Sequence, residues 1–73
     1  MARSTGFDPL YWDDPYPIAL MLRQIHPNVD PIDIDPHTLH HWVTELDSFA
    51  DDPGVIMIER LNDIQIEWID LGL

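Results

Sequence analysis

Seven prolines, at positions 9, 15, 17, 27, 31, 36 and 53, divide this 73-residue chain before any other feature is considered. Each ring fixes φ and removes a backbone N–H, so none belongs inside a helix or a central strand. The intervals left open, 18–26, 37–52 and 54–73, are long enough for helices and carry apolar residues at helical spacing. The prolines therefore predict three helices joined by short connections, an all-α three-helix bundle.

The first helix begins in "WDDPYPIALMLRQIHP", with Asp13 or Asp14 as N-cap and Pro15 at the first helical position. Ile18, Met21, Leu22 and Ile25 follow at spacings of three, four and seven, one buried face, and Pro27 forces the stop. "NVDPIDIDP" alternates apolar residues with aspartates, but Pro31 demotes any strand to an edge piece, and the segment reads as an ordered loop. A second helix starts with Asp35 as cap and Pro36 at its first position. It runs to about Ser48 with Leu39, Trp42, Val43, Leu46 and Phe49 inward. Asp51 or Asp52 caps the third, with Pro53 at its first position, and the run extends to about Leu71. Ile58, Leu61, Ile64, Gln65 and Trp68 form one stripe, while Val55, Ile66 and Ile69 lie partly outside it. That helix is either central to the bundle or partly an interface. Residues 1–10 form a flexible polar segment, and residues 11–73 a single domain.

A chain this short buries only about 60% of its unfolded surface, which argues against a large enclosed active site. It has no cysteine for disulfides, thiolate ligation or nucleophilic attack. Stability must come from apolar packing, and 45% hydrophobic residues with three tryptophans make that feasible. Fourteen acidic residues against three arginines and no lysine give a net charge of -11. Such a surface repels phosphate backbones, which excludes ordinary nucleic-acid binding, and attracts cations or a basic protein surface. The N-terminal "MARSTGFDPL" has no apolar run, and no stretch approaches the roughly 20 apolar residues that span a bilayer. A cytoplasmic monomer is expected.

His37 and His41 stand four apart and share a helical face with Glu45. That spacing suits two imidazole ligands, yet no third ligand is fixed, and Thr38 stands where an H-E-x-x-H site has glutamate. The alternatives are a solvated polar face and a metal-buffering site at His37, His41 and Glu45. His40, beside Leu39 and two before Trp42, is expected to be packed and hydrogen-bonded. The carboxylates cluster as Asp13 with Asp14, as Asp30, Asp33 and Asp35, as Glu45 and Asp47, as Asp51 with Asp52, and as Glu67 and Asp70. Hard cations such as Fe²⁺ take oxygen ligands of this kind. "DPIDIDPHTLHH" lacks the glycine and glutamate of a calcium-binding EF-hand loop. Ser48, His41 and Asp47 could be assembled into a nucleophilic triad, but no nucleophile-elbow context surrounds the serine and no Gly-rich loop is present, so no enzyme is expected.

These residues, in order, resemble the IscX family, small acidic accessory proteins of bacterial iron-sulfur cluster assembly. The resemblance runs from Tyr11 to Asp70. It rests on the Trp-x-Asp start (Trp12, Asp14), Ile18 and Leu22, "HPNVDP", and "LHHWVTEL" with His40, Trp42 and Leu46. The "SFADDP" corner, Leu61, Ile64 and the closing "WID" complete it. It implies a compact helical domain similar to a modified winged helix. It further implies docking on the cysteine desulfurase IscS through an acidic face, weak binding of ferrous iron, and partial competition with frataxin. Carried onto this chain, the docking residues are Glu45, Asp47, Asp51, Asp52, Glu67 and Asp70, and the metal carboxylates Asp13, Asp14, Asp51 and Asp52. An acidic DNA-mimic module is the remaining alternative. The chain departs from the family where Pro17 and Leu20 replace carboxylates. It departs again where Met57-Ile58 replace the Asn-Glu that begins the third helix, and where Asp70-Leu71 replace the closing Asp-Glu. These changes thin the acidic patch on the first and last helices.

Overall fold

The computed structural model describes residues 9–72; residues 1–8 of the expected N-terminal segment lie outside the described residues. Among the described residues the chain forms three α-helices and no strand: α1 (Pro15–Ile25), α2 (Pro36–Thr44) and α3 (Ile58–Leu71). A single 3₁₀ turn, Pro31–Asp33, interrupts the connection between α1 and α2. The all-α three-helix arrangement is the one the proline spacing predicts.

Helix α1 starts and stops where its prolines require. Asp14 is the N-cap, but its side chain makes no capping bond. Two local features go with this: Pro17, the third helical residue, offers no N–H, and the Asp14 backbone (φ -114°, ψ 65°) is not the extended one that aims a capping carboxylate at the second or third N–H. Ile18, Ala19 and Leu22 are buried, Met21 half-buried, and Ile25, expected inward, is 53% exposed at the last turn. Asp30 starts the 3₁₀ turn by accepting from the Ile32 N–H at 3.0 Å. Helix α2 has the cap expected of Asp35, whose carboxylate accepts from the Thr38 N–H at 3.1 Å and from the Thr38 hydroxyl at 2.7 Å.

Two boundaries differ from expectation, and in both a distant partner overrides a local preference. Helix α2 ends at Thr44, not near Ser48, because the backbone beyond it pairs with the N-terminal segment. The Leu10 N–H donates to the Ser48 carbonyl at 2.8 Å, and the Ala50 N–H to the Leu10 carbonyl at 2.9 Å, forming a parallel bridge between Leu10 and Phe49. Leu10 is thereby drawn into the core. Helix α3 starts at Ile58 behind Met57, not at Pro53 behind an aspartate cap. Asp52 instead closes a turn, its carboxylate accepting from the Gly54 N–H at 2.8 Å and its carbonyl from the Val55 N–H at 3.3 Å. The β-branched Val55 and Ile56 then follow in non-helical backbone. The start at Ile58 agrees with the position that the family resemblance assigns to the third helix.

The core gathers Leu10, Trp12, Ile18, Ala19 and Leu22 with Leu39, Val43, Leu46, Leu61, Ile64 and Trp68. Helix α3 packs chiefly on α1 and also touches α2 and the 3₁₀ turn, so it is the central helix of the two alternatives considered. The Gln65 side-chain amide fixes that last contact, donating to the carbonyls of Pro31 at 2.6 Å and Ile34 at 3.3 Å. Two aromatic layers brace the ends. Trp12 lies between a stacked His40 (5.3 Å, 17°) and an edge-on Phe49 (4.9 Å, 69°). Trp42 stacks on His26 at 4.0 Å and meets Trp68 at 6.4 Å.

Candidate functional site

The corner between α2 and α3 holds four of the carboxylates singled out in the sequence, Glu45, Asp47, Asp51 and Asp52, and Trp12 organises it. The Trp12 N–H donates to Asp51 Oδ2 at 3.0 Å, and its indole Nε1–H donates to the Asp52 carbonyl at 2.9 Å. Asp51 Oδ1 accepts from the Asp52 N–H at 2.8 Å. Both oxygens of Asp51 are thus committed inside the chain. These hydrogen bonds to the charged form, that from Trp12 first and that from Asp52 second, hold the Asp51 carboxyl below the usual aspartate range. Neither aspartate of the pair caps α3: one ties down the N-terminal segment and the other closes the turn.

An open cleft of about 500 Å³ lies beside this tie. Asp13 and Asp51 line it with Tyr11, Met57 and Arg60, so an arginine sits beside two of the carboxylates. Its guanidinium reaches Asp63 at 3.9 Å, a half-exposed pair of small energetic weight. Asp14 lies partly buried at the head of α1; neither it nor Asp13 has a side-chain hydrogen bond among the described residues. Asp47 is exposed past the end of α2. Glu67 and Asp70 stand seven and ten residues beyond Arg60 on α3, about 10 Å and about 15 Å along the axis. The sequence order therefore spreads the acidic residues along the body, and the fold brings only Asp13 and Asp51 into one cleft.

The histidine face is separate. His41 Nε2 lies 3.3 Å from Glu45 Oε2, with both side chains more than three-fifths exposed. His37 is exposed one turn earlier. His40 points the other way, as expected, its Nε2 2.9 Å from the Val55 carbonyl and its ring on Trp12. Among the described residues no three His, Asp or Glu side chains converge in a metal-holding group. The oxygen donors have the right chemistry for a hard cation such as Fe²⁺ but do not form a closed ligand set.

Reasoning from sequence missed Arg60 in the acidic corner and Trp12 as its organiser. The signal for Trp12 was present in its place beside two aspartates, but its partners stand 39 and 40 residues away. Ile58, read as part of the stripe with Leu61, Ile64 and Trp68, is instead 52% exposed, because it is the first residue of α3 and lies at the edge of the packed face; Ile56 and Met57 before it are exposed as well.

Fold and site together define a small, acidic, all-helical protein whose carboxylates gather around a braced corner and continue along α3. A family described as iron-sulphur cluster assembly matches residues 10–71. The uncharacterized protein PA3808 of Pseudomonas aeruginosa is 39% identical over 61 residues, covering 84% of this chain and 92% of that one. The chain belongs to the iron-sulphur cluster assembly family, as its resemblance to the IscX type implies. The match begins at Leu10, the residue that pairs with Phe49. No helix among the described residues is long and apolar enough to cross a membrane.

Proposed function

We propose that the protein is a non-enzymatic adaptor of iron-sulphur cluster assembly that docks on a cysteine desulfurase through its carboxylates and holds ferrous iron weakly. Membership of the cluster-assembly family supports the pathway. The observation that carries the docking is the net charge of -11, displayed on exposed Glu45, Asp47, Asp52 and Asp70 with Asp51 and Glu67 half-buried beside them. Such a field steers encounter with a Lys- and Arg-rich surface and sets its salt dependence.

Asp51 serves this surface indirectly. Its oxygens are occupied by the N–H groups of Trp12 and Asp52, so it holds the shape of the corner while Asp47 and Asp52 meet the partner. For iron, the carboxylates of Asp13 and Asp14 and the Oδ2 of Asp52, whose Oδ1 accepts from Gly54, are the oxygen donors near that corner. Without a converging third ligand, a ferrous ion here keeps most of its water, and its affinity is low. Competition with frataxin follows if both proteins use the same basic surface of the desulfurase.

Calorimetric titration with the desulfurase at low and high salt tests the reading. Binding that weakens steeply as salt rises supports it, because exposed charges are screened over about 8 Å at physiological ionic strength. Absence of binding at low salt overturns it.

A further inference from the structure

We propose that the apolar groove between the start of α2 and the start of α3 receives an apolar side chain carried on a Lys- or Arg-flanked segment of another protein. The groove encloses about 310 Å³ and is lined by Pro36, His37 and His40 on one side and Ile56, Ile58 and Leu61 on the other, with Asp35. That volume lies near the lower end of the roughly 300–1,000 Å³ of ligand clefts, room for one or two side chains.

Ile56 and Ile58, lining residues on the α3 side, form an exposed apolar rim. Ile56 is 64% exposed, Ile58 52% and Met57 43%. Ile56 and Ile58, two large apolar residues exposed at the surface of so acidic a chain, form a patch edged by charge, the usual mark of a protein contact, while Met57 between them lines the separate Arg60 cleft. The backbone there is extended at Met57 (φ -125°, ψ 109°), and the Ile56 N–H and C=O make no hydrogen bond among the described residues. A segment lying alongside in extended form can pair with these groups while its side chain enters the groove.

Charge decides the occupant. The lining of the groove holds no Lys or Arg and one carboxylate, Asp35; the charged residues nearest the lining in the chain are Glu59, Arg60 and Asp33, so the balance there stays negative. A second copy would bring -11 against -11. A free apolar molecule would fill the groove and leave the outer faces of Ile56 and Ile58 wet. A basic-flanked apolar segment covers the rim and matches the charge. The inference stands apart from desulfurase docking, and its test uses peptides alone, so either can fail without the other.

The test is nitrogen-edited NMR titration of the full chain with two synthetic peptides, one with a Leu-Phe pair between lysines and one with Ser-Ser between the same lysines. The first peptide is expected to shift the amide signals of His37, His40, Ile56, Ile58 and Leu61 and to bind at least about tenfold more tightly than the second. The variants Ile56→Ser and Ile58→Ser, both at exposed positions and checked for unchanged circular dichroism, are expected to remove that difference. Equal binding of the two peptides, shifts confined to Asp13, Asp47 and Asp70, or concentration-dependent self-association that broadens the groove signals overturns the proposal.

Discussion

The Trp12 N–H donates to the Asp51 carboxylate across 39 positions of sequence, and with the indole bond to the Asp52 carbonyl and the Leu10 pairing it fastens Leu10–Trp12 to the corner between α2 and α3. The Asp51→Ala change removes the acceptor for two N–H groups, whereas Asp52→Ala removes only the acceptor for Gly54. Thermal melts should therefore show a clearly larger fall in midpoint for Asp51→Ala than for Asp52→Ala. If Asp52→Ala is the more damaging, the corner is held by the turn and not by the Trp12 tie.

Acid should loosen the same tie. The Asp51 carboxyl is lowered by the N–H bonds of Trp12 and Asp52, and the Asp35 carboxyl by the hydroxyl and then the N–H of Thr38. A folded-state pKa below the unfolded one contributes stability that is complete above the unfolded value, about 3.9. The contribution disappears as the pH falls through the lower, folded value. Denaturant midpoints should thus hold steady near neutrality and drop below about pH 4, less steeply in Asp51→Asn, which has no such carboxyl to protonate. An unchanged slope in that variant would place the acid sensitivity elsewhere.

Trp12 itself is buried between His40 and Phe49, and truncating such a residue costs about 3–5 kcal/mol. Against a net stability of about 5–15 kcal/mol for a folded domain, Trp12→Ala should lower the denaturation midpoint severely or unfold the chain outright. Trp12→Phe keeps the ring packing but loses the Nε1 donor to the Asp52 carbonyl, and should cost only about 1 kcal/mol beyond its lost volume. A Trp12→Phe protein as unstable as Trp12→Ala would show that the indole hydrogen bond outweighs the packing.

What could be read from the chain in advance divides along the same line. The Asp35-Pro36 start of α2 was legible because cap and donor, Asp35 and Thr38, are three residues apart and nothing distant competes. The Asp-Asp-Pro corner reads locally as a second such start, and only the pairing of Leu10 with residues 48–50 and of Trp12 with Asp51 makes it a turn. The candidate site follows suit. Charge and exposure of Glu45, Asp47 and Asp52 could be read directly, since nothing buries them. That Asp13 and Asp51 share a cleft with Arg60 could not, because three separate parts of the chain meet there.

Gln65 gives a prediction about that kind of long-range closure. Its side-chain amide reaches the Pro31 and Ile34 carbonyls from α3 and is the tie that holds the 3₁₀ turn against that helix. Gln65→Ala should cost about 1 kcal/mol and speed amide hydrogen exchange selectively around residues 30–35. Uniform acceleration over all three helices would mean instead that the turn is part of the global folding unit.

The histidine face yields the last outcome. His41 and Glu45 are paired 3.3 Å apart in the open, His37 stands one turn away, and no third converging ligand exists among the described residues. Two exposed imidazoles on one helix face can hold Zn²⁺ or Fe²⁺ only loosely, whereas the carboxylates of Asp13 and Asp14, and the second oxygen of Asp52, suit Fe²⁺ by ligand type. The doubly substituted His37→Ala, His41→Ala chain should therefore bind Fe²⁺ as the unaltered protein does in a calorimetric titration, while Asp13→Asn with Asp14→Asn should weaken it. A large loss in the histidine variant with none in the aspartate variant would make the second helix the metal-binding element, and would exchange the proposed role of the acidic corner for one in partner docking alone.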